Sequence, residues 1–223
     1  MTDDFWEDPE RVERFAEREA DHRLAERVDE YPDPAGTRVL DLGCAGGRNT
    51  VFLAERGFDV WALDAAEAMV ARTRDRLAEV VGEAGAAERV VRGSMDDLSR
   101  WPDAWFDLVV SLGVHHSATS WEEWQRAAAE TARVLKPGGR LLFNQFTPEV
   151  RLSDEPVTPV PGEPHVYDGF PAGRAVLLDA DTLDAAWAEH GLVPVTASET
   201  KWVELEDGTR RVSVNALYER TSS

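Results

Sequence analysis

The chain has 223 residues and a formal net charge of −19 at pH 7, and 43% of its residues are apolar. This length suffices for one large domain with a full core, and the apolar content excludes a disordered chain. The charge argues against a nucleic-acid partner, because such binding needs a basic face and the sequence shows none. No stretch approaches the roughly 18 consecutive apolar residues of a membrane span, so no membrane partner is predicted.

Cysteine and lysine usage add two constraints. Cys44 is the only cysteine, which excludes an internal disulfide and a cysteine-clustered metal site. The acidic N-terminus lacks the basic start and apolar core of a signal peptide, so a cytoplasmic location is predicted. Lys136 and Lys201 are the only lysines. An acid excess with scarce lysine is typical of proteins from salt-loving organisms, and an ordinary acidic protein from a GC-rich genome is the alternative.

The predicted elements alternate between helix and strand. Residues 9–30 follow a helical pattern that the segment 32–36 breaks with two prolines and a glycine. Strands are predicted at 37–41, 58–63, 88–92, 105–111 and 140–146, and helices at 48–57, 65–81, 121–135 and 179–190. Two further β-rich runs, 192–206 and 209–218, are joined by Asp207-Gly208, which indicates an antiparallel hairpin.

The most informative stretch runs from Val39 to Thr50, where a buried strand leads through a glycine-dense turn into a helix. This arrangement is typical of a ligand-binding corner in an α/β sheet. Asp41 precedes the first glycine by two residues and would repel phosphates, and no Gly-Lys-Ser/Thr sequence follows, which excludes a P-loop. A ligand that carries positive charge and no phosphate fits this corner better than a dinucleotide.

Asp41, Gly43, Ala45 and Gly47 resemble the first motif of class I S-adenosylmethionine-dependent methyltransferases, with alanine at its middle glycine. The segment Lys136-Pro137-Gly138-Gly139 is similar to the turn that precedes the fifth strand in that family. The resemblance implies a Rossmann-like α/β fold, with a seven-stranded mostly parallel sheet, an antiparallel C-terminal hairpin and helices on both faces. A weaker resemblance, carried by Gly47-Arg48-Asn49-Thr50, is to small tellurite-resistance and thiol-type methyltransferases.

The resemblance also implies a single domain in four segments. Residues 1–36 form a helical cap, 37–146 the cofactor-binding core, 147–175 a Pro/Gly-rich lid loop, and 176–223 a helix and hairpin. The implied cofactor is S-adenosylmethionine, with S-adenosylhomocysteine as product. Asp41 would order the turn and attract the methionine ammonium, and Asp64 would bind the ribose, with a plain helix N-cap as the alternative. The other predicted cofactor contacts are Gly43, Cys44, Ala45, Ala65, Met69, Ser94, Met95, Asp96, Ser111 and Arg18.

His116 follows the fourth strand and is the candidate general base for the methyl acceptor, with packing against the next helix as the alternative. No metal site is predicted. Arg18 faces the cleft in one interpretation and forms a surface salt bridge in the other. The predicted function is methyl transfer to a small-molecule acceptor, and the alternatives are a protein methyltransferase or a non-catalytic S-adenosylmethionine-binding regulatory domain. Monomer and homodimer both remain open.

Overall fold

The computed structural model describes residues 3–153, 156–205 and 207–222. The helices are α1 (Asp3–Trp6), α2 (Pro9–Ala16), α3 (His22–Ala25), α4 (Arg48–Glu55), α5 (Glu67–Arg89), α6 (Trp121–Val134) and α7 (Ala180–Glu189). The strands are β1 (Arg38–Leu42), β2 (Asp59–Asp64), β3 (Val90–Arg92), β4 (Phe106–Leu112), β5 (Leu135–Phe146), β6 (Thr158–Pro159), β7 (Val166–Phe170), β8 (Gly173–Val176), β9 (Leu192–Pro194), β10 (Glu199–Glu204) and β11 (Arg210–Arg220). Short 3-10 turns lie at Val28–Glu30 and His115–Ser117.

In the described part of the chain the central sheet has eight strands, one more than the predicted seven. Seven follow the order β10-β11-β5-β4-β1-β2-β3, and β9 also pairs with β11. β1 to β5 are parallel, and β11 runs antiparallel between β5 and β10. The carboxyl ends of the parallel strands meet at one edge of the sheet, where the order reverses between β1 and β4. Ligands of open α/β sheets bind in the crevice at such a reversal. The Rossmann-like fold with an antiparallel C-terminal hairpin is confirmed.

The alternation of side chains along β1 explains why both faces of the sheet are covered. Leu40 and Leu42 pack with residues of α6 and α7, whereas Val39 packs with residues of α3, α4 and α5. All three are fully or almost fully buried. A strand that is apolar on both faces is expected in the middle of a parallel sheet with helices on each side.

The prediction of a single helix over residues 9–30 is wrong, because α2 ends at Ala16 and a new helix, α3, begins at His22. Asp21 is the N-cap of α3, and its carboxylate accepts a hydrogen bond from the Arg23 N–H at 3.1 Å. The Asp21 N–H donates to Asn49 Oδ1 at 2.9 Å, which ties this break to the start of α4. The side-chain capping by Asp21 therefore overrides the apolar periodicity that favours one continuous helix.

The C-terminal half differs from the prediction in two places. Within and just beyond the segment predicted as a lid loop, β6, β7 and β8 form a three-stranded antiparallel sheet that is held by backbone hydrogen bonds. The β-rich run predicted over residues 192–206 contains two strands, β9 and β10, both paired with β11. The pairing is irregular between them: the Val195 N–H still donates to the Leu217 carbonyl at 2.8 Å, and residues 196–198 lie outside the ladder. Glu206, in the same predicted run, lies outside the described residues.

Among the described residues, no helix is long and apolar enough to cross a membrane.

Candidate functional site

A cavity of about 310 Å³ lies at the carboxyl ends of β1, β2 and β4. Its floor consists of the turns that follow these strands and β3, namely Gly43–Ala45, Leu63–Ala66, Gly93–Met95 and Leu112–Val114. Trp6 and Phe15 line it from the N-terminal segment, and Phe170 lines it from the β7–β8 hairpin. Its size falls in the roughly 300–1,000 Å³ range of small-molecule sites.

The glycine turn is held rigidly from two sides. The N–H groups of Gly43 and Cys44 both donate to the Leu63 carbonyl, at 2.7 and 3.0 Å. The Thr73 hydroxyl donates to the Ala45 carbonyl at 2.6 Å. Gly43 has a φ of +72°, and a Cβ there would lie 2.3 Å from Cγ2 of Val114. Only glycine therefore fits this position without strain or collision.

Asp64 connects β2 to both neighbouring turns. Its Oδ2 accepts the Ala45 N–H at 2.8 Å, and its Oδ1 accepts the Ala66 N–H at 3.0 Å. Burial raises the pKa of this carboxyl, and these hydrogen bonds act in the opposite direction. Each oxygen keeps a second lone pair. Asp64 therefore combines the turn-ordering role of a cap with remaining capacity to accept ligand hydroxyls.

Asp41 does not line the cavity, which argues against a direct contact between its side chain and a ligand. It is 2% exposed, and its Oδ2 accepts the Thr50 hydroxyl at 2.6 Å from within α4. Because β1 alternates, Asp41 points to the same side of the sheet as Val39, beneath the glycine turn. Burial raises the pKa of Asp41 to about 6. The structure supports its turn-ordering role, and its effect on a ligand would act across the turn.

The other predicted site residues fall into two groups. The cavity wall contains Gly43, Cys44, Ala45, Asp64, Ala65, Met69, Ser94 and Met95. Asp96, Ser111, Arg18 and His116 are absent from it.

Each of the residues that do not line the cavity makes other contacts. Asp96 pairs with Arg126 at 3.0 Å and accepts from the Ser94 hydroxyl. Ser111 is fully buried and bonds His115 Nδ1 at 2.9 Å. Arg18 follows the end of α2, is exposed and stacks on the Phe15 ring at 4.4 Å, in place of the predicted salt bridge.

His116 lies behind the cavity wall. It is 4% exposed and packs edge-on against Phe146 and Phe170, with ring centroids 5.0 and 5.2 Å away. Its Nδ1 is buried, and no residue in the described part of the chain is a hydrogen-bond partner for it. Burial lowers the pKa of His116 to about 4 and that of His115 to about 3. This placement favours the packing interpretation over direct contact with an acceptor.

The two buried histidines predict sensitivity to acid. The unfolded chain binds protons on them from about pH 6.5, whereas the folded chain resists protonation until about pH 4 or below. The free energy of unfolding should therefore fall as pH drops from 6.5 to 4. His116→Phe keeps a ring against Phe146 and Phe170 and should remove about 2 kcal/mol of this loss between pH 7 and pH 4.5. Urea unfolding at pH 4.5 and 7 measures it, and an unchanged pH dependence in the variant would contradict the prediction.

Several residues that line the cavity wall were not predicted as site residues. Glu7 accepts the N–H groups of Glu67 and Ala68 at 2.8 Å each, which caps α5, whose own N-cap residue Ala66 has no polar side chain. Arg48 and Asn49 line the wall at the start of α4, and Glu123 lines it from the start of α6. The sequence Ser120-x-x-Glu123 is a recognisable capping box. It indicates the helix start and says nothing about the cavity.

Among the described residues, no group of three histidine, cysteine, aspartate or glutamate side chains is arranged to hold a metal ion.

This sheet order, with a glycine turn and an acidic residue at the ends of β1 and β2, defines a Rossmann-like fold with a small-molecule-sized cavity at the carboxyl ends of its parallel strands. Residues 39–139 match the model of a family described as Methyltransferase domain. A solved S-adenosylmethionine-dependent methyltransferase from Methanosarcina mazei superimposes with a TM-score of 0.69 at 18% identity, covering 92% of this chain and 100% of that one. That likeness shows the fold.

Two curated relatives are similar in sequence. An uncharacterized methyltransferase of Mycobacterium tuberculosis is 39% identical over 127 residues, which cover 57% of this chain and 47% of that protein. The 27-O-demethylrifamycin SV methyltransferase of Amycolatopsis mediterranei is 34% identical over 146 residues, covering 64% and 49%. This chain thus spans about half the length of these relatives. Residues 39–139 are similar in sequence to a methyltransferase domain, and the resemblance of the sequence motifs to methyltransferases is confirmed.

Proposed function

We propose that this chain transfers a methyl group from S-adenosylmethionine to a small-molecule acceptor. The observation that carries the proposal is that the glycine turn and Asp64 line the same cavity as Phe170 and Glu123. A cofactor and an acceptor would meet within that one space. The match of residues 39–139 to a methyltransferase domain supports the reaction type. The name of the Amycolatopsis relative supports a small acceptor.

The residues of the wall fit the cofactor chemically. Asp64 would accept the ribose hydroxyls, and the apolar side chains of Met69 and Met95 would pack against the adenine. Arg48 and the start of α4 would hold the methionine carboxylate, since a helix N-terminus favours anions. Carboxylates around the cavity favour a cationic cofactor over a dinucleotide with its phosphates.

The chain's part in the reaction is binding and alignment. When bound, S-adenosylmethionine supplies a sulfonium methyl group that is already activated toward displacement. The rigid glycine turn would fix the cofactor, and the aromatic side chains would exclude water from the reacting atoms. This division of labour explains why the motifs of the chain concern cofactor binding.

We infer that the enzyme is cytoplasmic. We also infer that residues 1–36 cap the core of residues 37–146 and that residues 147–175 cover the acceptor. The contact of α2 with the glycine turn supports the placement of residues 1–36 over the core, because a Cβ at Gly46 would lie 2.6 Å from the Ala16 backbone.

Incubation of the protein with methyl-labelled S-adenosylmethionine tests the proposal, with a metabolite extract, a protein extract and an RNA extract as separate acceptors. We expect S-adenosylhomocysteine to form, and the label to enter the metabolite fraction. Label in the protein fraction would establish the protein-methyltransferase alternative. Cofactor binding without product in any fraction would establish the non-catalytic alternative.

A further inference from the structure

One part of the cavity wall is built from the segment after β4 and from the β7–β8 hairpin. We name it the acceptor lobe. Its residues are Ser117, Thr119, Glu123, Phe170, Ala172 and Arg174. None of them belongs to the turns that follow β1, β2 and β3, where the cofactor contacts are proposed.

Glu123 has one oxygen engaged and one free. Its Oε2 accepts the Thr119 N–H at 2.7 Å and the Thr119 hydroxyl at 2.8 Å, and its N–H donates to the Ser120 hydroxyl at 3.1 Å. No residue in the described part of the chain is a partner for Oε1. A half-buried carboxylate is thus held in place at the cavity wall with acceptor capacity to spare.

The other charges near the lobe are already matched. Arg174 pairs with Asp168 of the hairpin at 3.3 Å and with Glu163, just before it, at 2.9 Å, so its charge is matched by these two carboxylates. Glu7 and Asp64, elsewhere on the wall, each accept two backbone N–H groups. The lobe therefore favours a neutral or cationic ligand with a hydrogen-bond donor, and it repels an anion.

Aromatic side chains supply the apolar surface. Phe170 packs against Phe146, with ring centroids 5.6 Å apart, and against His116, so its ring is supported from behind. Trp6 and Phe15 line the same cavity and pack edge-on at 5.7 Å. Such surfaces suit a flat aromatic ligand.

We propose that Glu123 binds the hydroxyl or amino group that receives the methyl on a neutral or cationic aromatic acceptor. This inference rests on the proposed function. In the transfer step, a lone pair of the acceptor oxygen or nitrogen forms the bond to the methyl carbon. The carbon–sulfur bond breaks with its electron pair going to sulfur, and the acceptor proton passes to Glu123 Oε1.

Glu123→Gln is the informative variant, because glutamine also serves at this position of a capping box. Its amide oxygen can replace Oε2 toward Thr119, so the start of α6 is kept while the negative charge is lost. Glu122→Gln is the matched control. Glu122 is the preceding residue, its side chain is 85% exposed, and its one ion pair is with Arg126 at 3.6 Å.

Three probes of one shape separate the contributions, namely 2-naphthol, 2-methoxynaphthalene and 2-naphthoate. Binding is measured by calorimetry on the full chain saturated with S-adenosylhomocysteine. The naphthol should bind about tenfold more tightly than the methyl ether, which lacks a donor, and than the anionic naphthoate. Glu123→Gln should abolish the preference over the ether and reduce that over the naphthoate, whereas Glu122→Gln should keep both.

A naphthoate that binds as tightly as the naphthol to the unmodified chain would overturn the inference, and so would a full preference for the naphthol over the ether in Glu123→Gln. Failure of all three probes to bind would overturn the aromatic acceptor class. The saturating titration distinguishes this from failure of the proposed function. If S-adenosylhomocysteine itself does not bind, both fall; if it binds and the probes are not discriminated, only the acceptor inference falls.

Discussion

Asp64→Asn is expected to weaken the binding of S-adenosylhomocysteine by about 10- to 100-fold. A hydrogen bond to a charged acceptor contributes about 1.5–3 kcal/mol, and asparagine replaces one carboxylate oxygen by a donor. Asp64 is the carboxylate of the wall that holds the Ala45 N–H of the glycine turn, so the variant loses ligand contacts and turn order together. Calorimetric titration of both proteins gives the ratio of dissociation constants.

Asp97→Asn is the control for this experiment. Asp97 lies after β3, accepts the Ser99 N–H at 3.1 Å and does not line the cavity. It should bind the ligand like the unmodified chain. Thermal unfolding of both variants separates a binding defect from a folding defect. Unchanged affinity in a folded Asp64→Asn would refute the ribose assignment.

Asp41→Asn is expected to stabilise the protein at pH 7 by at most about 3 kcal/mol. Burial raises the pKa of Asp41 to about 6 in the folded state, above the value near 4 of the unfolded chain. The folded protein therefore binds a proton that the unfolded chain has released, and ionisation of Asp41 reduces stability as pH rises from about 4 to 6. Asparagine removes this cost and keeps an acceptor for the Thr50 hydroxyl.

The pH dependence identifies the cause. Urea unfolding should show the gain of Asp41→Asn in full above pH 6 and almost none near pH 4. Asp97→Asn should give no gain at pH 7, because a hydrogen bond from Ser99 lowers the pKa of that exposed carboxyl. A gain of equal size at both pH values would show that repacking, and not ionisation, is responsible.

The unit of β1, its glycine turn and α4 was predictable from the sequence because the turn has local chemical signals. Gly43 and Gly47 require positive φ, and both adopt it, at +72° and +82°. The buried runs on either side have a length and composition that suit parallel strands. The break in the predicted N-terminal helix depends on Asp21, which caps α3. Helix periodicity alone does not account for such a cap.

The site was predictable only where a backbone position requires a residue type. Gly43, Ala45 and Asp64 were found because they belong to a motif of fixed spacing, and all three line the cavity. Glu123 was not found, since its place in the cavity depends on how α6 packs beside β4. His116 was selected for its chemistry, and tertiary packing places it behind Phe170.

Calorimetric titration of the full chain with S-adenosylmethionine, S-adenosylhomocysteine and NAD tests the central claim, that the cavity above the glycine turn is a site for the methionine cofactor. We predict that both methionine compounds bind to one site per chain and compete with each other, and that NAD gives no saturable binding. Saturable binding of NAD, with no response to either methionine compound, would contradict it.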